Sequence, residues 1–258
     1  VPVSELGADL DRHQGRIRCM GSARFSELFE RGRDAFLSGE VPCQEPPLDG
    51  GGRWGITAVL RPDPSVARRM ERITAEAMAV AGESHWPTGA AVSSHFTIRT
   101  LENYRSSVPK DDERVMRYQA ALRQASARVG SIRLELTGLT LTPASVMLCA
   151  SPADPTAERF AECLAEELAD DGWFEAGFNR DIWYSNLVHF TGFPADPQAL
   201  VEWVAARRNL DLGSSVHTHV DLVAWKFNHR HMVSATLGRA ELSGPTAGAR
   251  SRLSGRSR

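Results

Sequence analysis

The sequence predicts one domain that mixes sheet and helix, of the α+β or α/β class. Three observations carry that expectation. Strand-like and helix-like segments alternate from Arg53 to Leu242. The composition, 42% hydrophobic and 24% charged, is that of an ordinary globular chain. A length of 258 residues is enough for one large core.

The elements read in order as follows. Arg24 to Leu37 places Phe25, Leu28, Phe29 and Phe36 on or near one helical face. Residues 41–52 read as a loop, with Pro42, Pro46, Pro47 and three successive glycines. Those glycines precede a strand and no Gly-Lys-Ser/Thr follows, so they form no phosphate-binding loop. Residues 53–62 are a strand stopped by Pro62. Residues 64–82 are a helix with Val66, Met70, Ile73, Ala77 and Val80 in period, ended by Gly82. Residues 93–101 are a strand, and 111–130 a helix with acids in its first turn. Two strands follow at 132–143 and 145–152, then a helix at 155–172 with Phe160, Cys163, Leu164 and Leu168 as its apolar stripe. A strand at 186–194, a helix at 197–208 and a hairpin of 216–227 with 231–242 complete the series. Strand, helix, strand, helix recurs in similar form twice, which suggests an internal duplication.

Charge and composition narrow the function. The net charge is −2, and the last sixteen residues carry Arg250, Arg252, Arg256 and Arg258 without an acid, so the remainder is acidic. Such a body does not track long nucleic acid by counterion release, but a local cluster can still hold a small anion. No apolar run approaches the ~20 residues of a membrane span. Residues 1–16 lack the basic and apolar regions of a secretory signal. Cys19, Cys43, Cys149 and Cys163 lack C-x-x-C spacing and read as reduced thiols, with no zinc site. A cytoplasmic protein without membrane partners is expected, and the sequence leaves its oligomeric state open.

One tripeptide stands in two strands, His95-Phe96-Thr97 and His189-Phe190-Thr191. Strand side chains alternate between faces. His95, Thr97 and Arg99 are therefore expected on one face with Phe96 and Ile98 opposite. His189 and Thr191 are expected together, with Val188 and Phe190 opposite. Two imidazoles and two hydroxyls converging on one cleft suit phosphodiester chemistry without metal or cofactor. A neutral imidazole takes a proton from the nucleophile and a protonated one gives a proton to the departing oxygen. Thr97 and Thr191 donate to the non-bridging phosphate oxygens, and Arg99 adds a clamp.

With those motifs the chain resembles the two-histidine (2H) phosphoesterase superfamily, marked by paired H-Φ-S/T-Φ motifs in which Φ is apolar. His95 to Ile98 matches throughout, whereas Gly192 stands where the second motif usually has an apolar residue. The resemblance covers about Arg53 to Leu242. It implies an α+β, bilobal, internally duplicated fold, with two antiparallel-rich sheets forming a central cleft and helices outside. It also implies hydrolysis or transesterification of 2′,3′-cyclic phosphates, 2′–5′ linkages or similar small phosphoesters. The expected partner is then a small nucleotide or short oligonucleotide, with His189 as base and His95 as acid. The alternatives are a module on this scaffold that binds a nucleotide or RNA end without turnover, or an enzyme acting on another small phosphorylated metabolite.

Further expectations attach to the flanks. Residues 1–52 form an extension whose helix is placed to act as a lid, so its removal would alter specificity more than stability. Residues 53–242 form the 2H-like domain and 243–258 a disordered tail. Trp183 and Tyr184, beside the second motif, are candidates for stacking on a base. Most other aromatics there, with Trp54 and Trp86, read as core. His217 and His219 share a face and make a metal site geometrically conceivable, but no Cys or acidic cluster completes it. His13 and His85 read as ordinary surface or loop residues.

Overall fold

The computed structural model describes residues 23–178 and 180–244. Cys19, His13 and the arginine tail lie outside these. A helix, α1 (residues 23–38), precedes β1 (Thr57–Leu60), α2 (Pro64–Ala81), β2 (Trp86–Pro87) and β3 (Phe96–Thr100). Then come α3 (Glu113–Ser126), β4 (Ile132–Thr142), β5 (Ser145–Pro152) and α4 (Thr156–Leu168), which runs into a 3₁₀ turn at Ala169–Glu175. The chain continues through β6 (Trp183–His189), α5 (Pro197–Ala205), β7 (Ser214–His217), β8 (His219–Phe227) and β9 (Met232–Glu241).

The strands form two antiparallel sheets, ordered β3-β1-β8-β9 and β2-β6-β5-β4-β7. The chain therefore has the α+β class and the two-sheet architecture expected. Helix starts follow from local chemistry. The carboxylates of Asp63, Asp112 and Asp196 accept from first-turn N–H groups of α2, α3 and α5, and Pro64 and Pro197 supply a preset φ at two of these starts. Helix α2 leaves the β3-β1 sheet to pack on β6 and α5, while α3 packs on α4, β8 and β9. Each sheet thus has helices against it and one apolar core runs between the layers.

Two features differ from the periodicity. The strand expected over 216–227 is broken at Thr218: β7 joins β4 in one sheet, and β8 joins β1 in the other. Nothing in the pattern around Thr218 marks the change of sheet. The second motif strand also begins earlier and ends sooner than expected, at His189.

The N-terminal helix is packed into the core. Phe29 and Phe36 are buried in the main cluster, and Phe36 meets Phe190 edge-on with ring centroids 4.9 Å apart. At Gly32 the helix backbone comes so close to Leu141 that a Cβ would overlap its carbonyl group. Removing residues 1–40 would strip this packing, so the effect expected on specificity cannot be separated from a loss of stability. The reason is that the apolar face read at Phe25, Phe29 and Phe36 is covered by β4 and Phe190.

Candidate active site

His95 stands one residue before β3, whose Phe96 and Ile98 are buried in the main core. Its Nδ1 donates to Ser93 O at 2.8 Å, which leaves Nε2 as the free nitrogen. Arg61 holds the loop ahead of it by donating to Val92 O and Ser94 O. Arg61 is anchored in turn near Asp221, whose buried carboxylate takes two bonds from Arg239.

Register corrects the expectation for Arg99. Thr97 pairs with Val59 but Arg99 pairs with Ala58, because β3 carries an extra residue at this point. The bulge turns Arg99 to the side of Ala58, away from Thr97, and its Nη2 donates to Gly172 O at 2.9 Å. Thr97 follows Val59, which belongs to an aromatic cluster built around Trp54, Trp86 and Trp225.

His189 ends β6, paired with Trp86 on one side and Ser145 on the other. Past it the chain bends, so Thr191 is no longer in a strand. Its hydroxyl donates to Ser84 O at 2.8 Å, and its N–H donates to His85 Nδ1 at 3.2 Å. The hydroxyl proton expected for phosphate is thus used within the protein, because strand pairing stops two residues short. His85, expected as an ordinary surface or loop residue, is buried and positions Thr191. Its Nε2 donates to Ala81 O, and its ring packs against Phe190. At Gly192 a Cβ would meet nothing within 4 Å, so the position has room for a side chain.

The two imidazoles border that one aromatic cluster. The His95 ring lies 4.5 Å from Trp225, Trp225 lies 5.5 Å from Trp54, and Trp54 lies 5.0 Å from His189, centroid to centroid. Trp86 and Val59 complete the surround. The two histidines are only 8% and 3% exposed. Burial pushes His95 down to about 4, with the nearby Arg61 charge adding to the shift and the bond to Ser93 opposing it. Burial likewise pushes His189 down to about 3, helped by the charges of Arg53 and His95. That the first ring bears on the second agrees with their place on a shared cluster.

The remaining expectations divide. Trp183 is a core residue, buried with β5 and Leu187, and offers no face to a base. Tyr184 alternates to the other side, is half-buried and lies within electrostatic reach of Arg53. His217 is buried, donates to Arg61 O at 2.7 Å and packs on Phe96. The sheet change at Thr218 separates its setting from that of His219. Among the described residues no three His, Cys, Asp or Glu side chains converge as a metal site. No described helix is long and apolar enough to cross a membrane. Reading the sequence alone misses Arg53 and Trp225 and leaves Trp54 and Trp86 as core, because their meeting depends on pairing across the two sheets.

These buried rings imply a pH-dependent stability. His95, His189 and His217 have folded values of about 4, 3 and 4, against about 6.5 when unfolded. As pH falls the unfolded chain takes up protons first, so the stabilisation is complete above about 6.5 and is lost down through the folded values. The slope is about 1.4 kcal/mol per pH unit for each ring. Urea unfolding should show several kcal/mol less stability at pH 5 than at pH 7.5. A flat profile over that range would contradict the burial.

No family model and no curated protein matches this chain. Solved structures do. TT0787 of Thermus thermophilus superposes with a TM-score of 0.55 at 16% identity, covering 73% of this chain and 98% of the other. LigT of E. coli complexed with 3′-AMP gives 0.50 at 15%, covering 74% and 98%. A protein described as a phosphoesterase gives 0.50 at 16%, covering 77% and 99%. At these identities the likeness is one of fold. The chain shares the fold of TT0787, LigT and that phosphoesterase.

Proposed function

We propose that this chain is a metal-independent phosphodiesterase of the cyclic phosphodiesterase or 2′–5′ phosphoesterase type. Its substrate is a nucleotide or short oligonucleotide, and hydrolysis and transesterification share the same machinery. What supports this reading is that His95 and His189 border one aromatic cluster, with an arginine charge beside each ring. The LigT complex with 3′-AMP supplies a ligand of the required class.

The proposed step gives His189 the role of base: it is neutral and takes the proton from water or a sugar hydroxyl as its oxygen bonds to phosphorus. The departing P–O bond breaks and its oxygen takes a proton from His95. The Nδ1 bond to Ser93 leaves His95 Nε2 for this transfer. Negative charge on the bound phosphate favours the protonated form of each ring and offsets the effect of burial. Thr97 supplies a hydroxyl on the His95 side. The Ser84 bond must break or rearrange before Thr191 can donate on the other side.

Burial of both rings favours a second reading, a module that holds a nucleotide or RNA end without turnover. A screen of 2′,3′-cyclic nucleotides and 2′–5′-linked dinucleotides in excess chelator separates the two. Turnover with a bell-shaped pH profile supports the enzyme. Tight binding without product after long incubation supports the module, and neither binding nor product defeats both.

A further inference from the structure

The segment between α1 and β1 is a strap tied at one end to the second motif and at the other to the loop that follows β3. At one end Gln44 N–H donates to Phe190 O at 2.7 Å, directly after His189. At the other, Gly50 and Gly51 exchange backbone bonds with Tyr104, and Asp49 accepts from the N–H and hydroxyl of Ser106. Near its end stand Arg53 and Trp54, which Gly55 and Ile56 separate from β1.

These two residues present donors that the protein does not use. The Trp54 ring packs on His189 and its Nε1 is buried without an acceptor. A buried N–H left unpaired is costly, and such groups call for an explanation at the place where they occur. Trp54 also holds a φ of 65°, uncommon for a bulky residue. Among the described residues Arg53 forms no hydrogen bond or ion pair, although its charge reaches His189. His189 Nδ1 and Asn186 Oδ1 are likewise buried without partners. A pocket of about 300 Å³ opens beside Arg53 and Trp54, lined also by Gln44, Glu45 and Gly52, and Glu45 makes no ion pair with the arginine. On this side of the site Thr191 has given its proton to Ser84 O.

We infer that Arg53 and the Trp54 indole N–H hold the non-bridging phosphate oxygens on the His189 side, in the role expected of the second-motif threonine. The inference rests on the phosphoester reading above and deepens it, since it assigns anion recognition to the N-terminal strap. Arg53 supplies the charge and forked geometry that match a phosphate. Trp54 supplies a donor next to the ring that takes the proton. Because Gln44 is tied to Phe190, strap and second motif act as one half of the site.

The test uses the full chain, with inorganic phosphate and 3′-AMP as probes, in wild type, Arg53→Gln, Trp54→Phe and His189→Ala. Trp54→Phe keeps an aromatic ring at this position and removes the indole N–H, together with part of the ring. Each strap variant should weaken phosphate binding about tenfold. Arg53→Gln should in addition raise the His189 pKa, read from its imidazole nitrogen shifts, which loss of packing alone would not do. If both strap variants bind phosphate as wild type does while His189→Ala weakens it, the assignment to the strap is wrong and the phosphoester reading stands. If the wild type binds neither probe and turns over no phosphoester, the phosphoester reading itself falls.

Discussion

Replacing either His95 or His189 with alanine should lower turnover by about a thousandfold, the middle of the range for loss of a positioned acid or base. The double variant should lose little more than the worse single one. A proton taken up by one ring and a proton released by the other belong to the same displacement, so removing one partner already breaks the step. The pH profiles should divide as well. The wild type should give a bell, and each single variant should lose one limb of it. Variants that keep turnover within a fewfold of wild type on every active substrate would remove the paired-imidazole mechanism. Both rings are buried, so urea unfolding of each variant must accompany the kinetics to separate lost chemistry from lost folding.

Replacing Phe190 with alanine should cost about 3–5 kcal/mol, a large part of the ~5–15 kcal/mol that holds a domain together. The side chain is fully buried against Phe36 of the N-terminal helix and against His85, which fixes Thr191. Its backbone oxygen also holds the strap through Gln44. One apolar residue in the middle of the second motif therefore joins the extension, the motif and the strap. Urea denaturation measures the cost. A loss below about 1 kcal/mol, far under the range for a packed phenylalanine, would mean that the N-terminal helix and this motif are not packed together as described.

The sequence is most informative where chemistry is local. Asp63, Asp112 and Asp196 start their helices as capping residues do, and the alternation of Phe96 and Ile98 with Thr97 reports which side is core. The repeated His-Phe-Thr brings out the two imidazoles before any fold is known. What the sequence hides is set by pairing at a distance. A one-residue bulge sends Arg99 to Gly172, and no local pattern marks it. The end of β6 at His189 frees Thr191 to bond Ser84, although the tripeptide is the same as in the first motif. The passage from one sheet to the other at Thr218 has no turn residue to mark it. Trp54 and Trp225 come together only because the strap and β8 meet between the rings. Trp183 shows the converse: a position next to the motif suggests a site role, but strand alternation places it in the core.

All of this depends on His95 and His189 acting on one phosphate. The most direct test follows the imidazole nitrogen resonances of both rings during a titration with 3′-AMP. Both rings should shift with the same dissociation constant, and both pKa values should rise from about 4 and about 3 as the anion binds. A ligand that binds while only one ring responds, or neither, would contradict a shared site.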